Sequence, residues 1–114
     1  MSGRTVIFLS HADEGALRSA GSCALAAVAM DDRVDVFLTG LAVPALVAAH
    51  DGEADEPAAL LQQARAAGAR LIACSASVVE QRVALGETEA ALDAVVGWPT
   101  ILEWSRGVVD RYTF

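Results

Sequence analysis

The sequence predicts an α/β fold, a three-layer α/β/α arrangement built on a parallel sheet of four to five strands. Three observations predict it. Apolar runs of strand length, centred on Val6-Ile7-Phe8-Leu9, Val34-Asp35-Val36-Phe37-Leu38-Thr39 and Leu71-Ile72-Ala73-Cys74, are separated by stretches whose apolar residues recur at helical spacing. The first run is continuous rather than alternating, as expected of a strand buried on both faces. The 114 residues are 54% hydrophobic with only 3 prolines, enough apolar surface for one compact domain spanning 1–114.

The elements follow in order. Arg4 to Ser10 is the first strand. From Gly15 to Met30 the residues Leu17, Ala20, Ala24, Ala27 and Val28 form a helical stripe that ends at Asp31-Asp32. Val34 to Thr39 is the second strand, closed by Gly40. Leu41 to His50 is a short helix with Pro44 in its first turn, where a missing N–H costs little. The acidic run Asp51 to Glu56 is a solvated loop, and Pro57 to Ala67 is a helix stopped by Gly68. Arg70 to Cys74 is the third strand. Ala76 to Leu85 and Thr88 to Val96 read as two helices split by Gly86, with Thr88 as the second one's cap. Trp98 to Ser105 is a last helix opening on Pro99, with Trp98 and Trp104 either anchoring it in the core, the preferred reading, or forming an oligomer contact. Val108 to Phe114 has the β-branched and aromatic content of a final strand. Strands alternating with helices imply right-handed crossovers and helices on both faces.

Aromatic residues make up only 5% of the chain while alanine and valine abound, so the helices should approach closely through small side chains. Such side chains bury little area each, which favours an oligomer that covers the remaining apolar patches. A net charge of -7, from 15 acidic and 8 basic residues, argues against nucleic-acid binding. The longest apolar stretch, Cys23 to Met30, is too short to span a bilayer, and Met1-Ser2-Gly3-Arg4 leads straight into a strand-like run rather than a secretory leader. A cytoplasmic setting with both cysteines reduced is the resulting expectation, without a disulfide, a metal site or a cofactor. Glycine-rich phosphate loops and the Gly-x-Ser-x-Gly elbow are absent from the sequence, which sets nucleotide binding and acyl hydrolysis aside.

In open parallel sheets, ligands bind beyond the carboxyl ends of the strands. Those ends here carry Ser10 and His11, Thr39 and Gly40, and Cys74 and Ser75. A helix beginning at Ser75 or Ser77 would place the Cys74 thiol near free backbone N–H groups and the positive end of a helix dipole, which favour thiolate. The residues leave two readings of Cys74 open, a reactive thiol or a small hydrophobe closing a strand. Ser10, Thr39 and Ser75 are either hydrogen-bond donors to an anion or ordinary turn and cap residues. His11 is either a general base or a charge favouring the Cys74 thiolate, or a solvated turn or helix-cap residue. Cys23, among Ala20, Ala24 and Ala27, reads as helix packing, and His50 as a helix-end cation.

The order of elements, together with Val6-Ile7-Phe8-Leu9-Ser10, the alanine-rich Cys23 to Met30 helix, the Val36-Phe37-Leu38-Thr39-Gly40 turn, the Leu71 to Ser77 segment and the closing Asp110-Arg111-Tyr112-Thr113-Phe114, resembles the DsrE/DsrF-like family over nearly the whole chain. The resemblance implies a DsrE/F-like fold and a sulfur-relay role in which Cys74 carries persulfide sulfur between donor and acceptor proteins. It also implies a homo-oligomer, a trimer or hexamer. The competing expectation is a non-catalytic module of the same fold that binds a small ligand or serves assembly, with Cys74 incidental.

Overall fold

A computed structural model describes residues 3–50, 56–107 and 109–114. Strand β1 (Arg4–Leu9) leads into helix α1 (Glu14–Ala29), whose first turn is capped by Asp13 accepting from the Ala16 N–H at 3.1 Å. Then follow β2 (Arg33–Leu38), α2 (Ala42–Ala48), α3 (Glu56–Ala66), β3 (Arg70–Cys74), α4 (Ser75–Glu80), α5 (Leu85–Ala91), β4 (Ala94–Val96), α6 (Trp98–Trp104) and β5 (Asp110–Thr113). The five strands form one sheet in the order β4-β3-β2-β1-β5, and every pairing is parallel. The α/β class and parallel sheet expected from the sequence are thus observed. The acidic run lies outside the described residues from 51 to 55, as does Val108 of the expected final strand.

The segment expected to be a helix from Thr88 to Val96 is corrected by the structure. Its last residues are strand β4, and what places them there is Asp93. The Asp93 carboxylate accepts the Leu71 N–H at 2.7 Å, its own N–H donates to the Leu71 carbonyl at 2.8 Å, and Arg65 holds it from α3 at 3.1 Å. Three strand residues have no readable period, so only these contacts with β3 and α3 distinguish them from a helix end. Gly86 does not split the two helices either. Arg82 adopts the left-handed region at φ 54°, so α4 stops before it and α5 begins at Leu85, with Gly86 inside its first turn. Thr88 is not a cap but is buried within α5, where its hydroxyl donates to the Ala84 carbonyl at 3.0 Å.

Side chains alternate across the sheet. On one face Ile7, Leu9, Val36, Leu38, Leu71 and Ala73 meet the apolar sides of α1 to α5. The helices there come close because their contacts are small. A β-carbon at Gly21 of α1 would stand 2.5 Å from Leu60 Cβ of α3, a separation that atoms do not tolerate. On the other face Val6, Phe37, Ile72 and Cys74 pack with Ile101 of α6, and Phe8 stacks on Phe37 with ring centroids 5.3 Å apart. Trp104 is half-buried against this cluster, whereas Trp98, expected in the core, is 45% exposed.

The second face also holds a fully buried carboxylate, Asp35. Arg70 donates to it at 2.7 Å and Arg4 at 3.2 Å, so the charge is satisfied from both neighbouring strands. The hydrogen bond to Asp35 pushes the Arg70 pKa above its ordinary value, with burial opposing it. The same arginines hold the end of α6. Arg70 lies over the Trp104 ring at 5.1 Å, and Arg4 donates to the carbonyls of Trp104 and Arg106.

Candidate functional site

The carboxyl ends of the strands form one edge, and the sheet order fixes who stands beside whom. Cys74 is in register with Val96 of β4, Ala73 with Leu38 of β2, and Leu38 with Leu9 of β1. Along the edge the chain therefore presents Gly97, then Cys74 and Ser75, then Thr39 and Gly40, then Ser10 and His11, and finally Phe114. Residues distant in sequence are gathered by topology alone.

Cys74 is the last residue of β3 and the N-cap of α4, which begins at Ser75 as one sequence reading expected. Its side chain makes no capping hydrogen bond and is 1% exposed, packed in the cluster of Val6, Phe37, Ile72 and Ile101. The thiol thus points to the second face of the sheet, beneath α6. Ser75, the next residue, is half-buried and lies on the wall of an open cavity of about 480 Å³. Val78, Val79, Val83, Leu85 and Val95 make that cavity apolar, and Cys74 is not part of its lining.

Gly40 has φ +55°, a conformation that glycine adopts without strain, and a β-carbon there would come within 3.4 Å of the Ser10 carbonyl oxygen. Its N–H donates to Ser77 Oγ at 2.8 Å. Ser77 is buried in the first turn of α4, so this bond ties the loop after β2 to the helix that Cys74 caps. The sequence marked Ser77 only as a possible helix start. A polar residue on the buried side of a short helix is the signal that would have singled it out.

Ser10 and His11 are exposed and adjacent, with Ser10 Oγ and His11 Nδ1 3.3 Å apart. The Ser10 N–H donates to the Phe114 carbonyl at 3.1 Å, extending the sheet toward β5. His11 and Cys74 share the edge, but β2 lies between their strands, which at the usual strand spacing sets them about 10 Å apart. Thr39 is half-buried and continues β2 through its N–H to the Leu9 carbonyl at 3.0 Å. The edge therefore divides into a Ser10-His11-Gly40 group and a Cys74-Ser75-Gly97 group, joined by Ser77.

Both cysteines are free. Cys23 is half-buried in α1, and burial pushes its thiol pKa up. It faces a smaller cavity of about 230 Å³ lined also by Thr5, Met30, Asp32 and Tyr112, at the opposite end of the strands from Cys74. Among the described residues no helix is long and apolar enough to cross a membrane. No curated protein matches the chain. A family model does match, over residues 4–105, and it agrees with the parallel sheet flanked by helices: this chain belongs to the DsrE/DsrF-like family.

Proposed function

We propose that this protein handles sulfane sulfur on Cys74. The observation that carries the reading is the position of Cys74 as the last residue of β3 and the N-cap of α4, on the carboxyl edge of a DsrE/DsrF-like sheet. The Cys74 thiolate attacks the terminal sulfur of a donor cysteine persulfide, an S–S bond forms on Cys74, and the donor's S–S bond breaks to release its thiolate. No external oxidant or reductant enters, because the sulfane sulfur only changes carrier. Transfer onward repeats the step with an acceptor thiolate. Ser10, His11, Thr39, Gly40 and Ser75 form the rim that the donor or acceptor meets. The reading includes a reduced, cytoplasmic setting and a homo-oligomer. Exposed apolar side chains at Val79, Leu85, Trp98 and Leu102 support the oligomer, which sedimentation of the purified chain tests directly.

The burial of Cys74 and the apolar cavity beside Ser75 favour a second reading, a non-catalytic module that binds a small apolar ligand or assembles with partners. One experiment separates the two. In a Cys23→Ala background, alkylation of Cys74 is followed against pH and the protein is weighed after incubation with a persulfide donor. A gain of one sulfur atom on Cys74, lost on treatment with reductant and absent in Cys74→Ser, supports the carrier. A protein that takes up no sulfur sinks it and leaves the binding module.

A further inference from the structure

Helix α4 ends in a way that the chain uses twice elsewhere, but with a different residue at the turn. The Val83 N–H donates to the Val78 carbonyl and the Arg82 N–H to the Val79 carbonyl, both at 3.1 Å, the pair of bonds that closes a helix around one left-handed residue. The same pair closes α1 around Asp31, at φ 64°, and α3 around Gly68, at φ 122°. Glycine enters that region freely and aspartate more readily than most residues, whereas a long side chain does so at a cost. Arg82, at φ 54°, is therefore the turn residue that backbone geometry does not explain.

Its position in the fold supplies a reason. Arg82 stands on the wall of the 480 Å³ cavity between α4, the start of α5 and β4. The volume lies within the range of about 300–1,000 Å³ usual for small-molecule sites. The two backbone bonds of the turn fix Val78, Val79 and Val83 in that wall, so its apolar part is set before any ligand arrives. Among the described residues the Arg82 guanidinium has no hydrogen-bond or ion-pair partner, whereas Arg4, Arg65 and Arg70 are each committed to a carboxylate. Glu87, which with Arg82 lines an adjoining cavity of about 300 Å³, makes no ion pair with it. Ser75 is at the other end of α4, seven residues and about 10 Å away along the helix, and its hydroxyl is likewise without a partner among the described residues.

We infer that this cavity binds a small apolar monocarboxylate, with its carboxylate on Arg82 and its hydrocarbon part running along Val78, Val83 and Val95 toward Ser75. A guanidinium fork matches one planar carboxylate. A dianionic phosphate would meet the same single cation against a net charge of -7, which disfavours the second negative charge. The carboxylate pairing rests on the ligand-binding reading of this cavity and is independent of sulfur chemistry at Cys74, which lies outside the lining.

The test compares three probes of one chain length, hexanoate, hexan-1-ol and hexylammonium, titrated into the full chain and followed by NMR at the backbone amides of Val83, Leu85 and Val95. Hexanoate is expected to saturate these amides at a concentration about three- to tenfold below that of hexan-1-ol, with the gap narrowing as salt is raised. Arg82→Asn keeps a residue that accepts the left-handed turn and removes the charge, so it is expected to abolish the gap and leave hexan-1-ol binding unchanged. Hexan-1-ol binding as tightly as hexanoate, or hexylammonium binding more tightly, overturns the carboxylate and leaves a cavity for neutral or cationic apolar ligands. A preference for hexanoate that persists in Arg82→Asn overturns the role of Arg82. No change at these amides with any of the three probes overturns the ligand-binding reading together with the carboxylate.

Discussion

The two faces of the sheet are covered by different means. One meets five helices through a broad cluster of leucines, valines and alanines, with a glycine contact so close that no β-carbon fits at Gly21. The other meets one seven-residue helix and relies on a few large or charged groups, namely the Phe8–Phe37 stack, Ile101, and Asp35 held by two arginines. The first face spreads its burial over many residues of several helices. Concentration on few residues makes the second face sensitive, and it is the second face that holds Cys74.

The largest expected effect breaks the second face at its centre. Phe37→Ala removes a fully buried ring and its stacking partner's contact, and is expected to cost about 3–5 kcal/mol in urea unfolding. A cost below about 1 kcal/mol would show that the ring does not hold the second face together. Asp35→Ala leaves Arg4 and Arg70 without their common partner and loosens the end of α6. Because both arginines reach solvent, the expected cost is about 2–4 kcal/mol, lower than for a wholly buried pair.

Gly21→Ala sharpens the description of the first face. Its added methyl meets Leu60 Cβ and the Leu60–Leu61 backbone, so α1 and α3 must part, at about 1–3 kcal/mol by thermal or urea melting. A neutral result would mean that these helices are not in close contact. Ser77→Ala is a smaller loss of about 1 kcal/mol, the value of the hydrogen bond from the Gly40 N–H, and amide exchange at Gly40 should accelerate while exchange in β1 stays unchanged.

The smallest effect concerns Cys23, whose folded-state pKa is raised by burial. The folded chain then keeps its proton where the unfolded chain has lost it. Stability from this site is therefore full below the ordinary thiol range and falls as pH rises through the raised value. In Cys74→Ser, the alkylation midpoint of Cys23 should lie above that of a free cysteine, and Cys23→Ala should remove the corresponding loss of stability at high pH. A midpoint at or below that of the free amino acid would contradict the half-buried placement.

Much of the fold was legible because its signals are local. The continuous apolar runs at Val6 to Leu9 and Val34 to Leu38, the alanine stripe of α1 and the glycine stop at Gly68, which sits at φ +122°, each follow from a few neighbouring residues. What escaped the sequence depends on distant partners. The strand at Ala94–Val96 exists because Asp93 bonds to Leu71, and α4 ends early because Arg82 turns left-handed. The same division runs through the site. The edge residues could be named from the rule for parallel sheets, but the bond from Gly40 to Ser77 and the burial of Cys74 beneath Ile101 could not.

By itself the sequence determined the α/β class, the parallel strands, the family resemblance and the cysteine at a strand's end, since hydrophobic period and local turn chemistry suffice for these. The tertiary structure alone decided that β2 stands between His11 and Cys74, that among the described residues one face receives five helices and the other a single one, and that α6 lies over the thiol. The physical reason is that strand order and helix placement are set by contacts between residues tens of positions apart, where small free-energy differences among packings carry no local sequence mark.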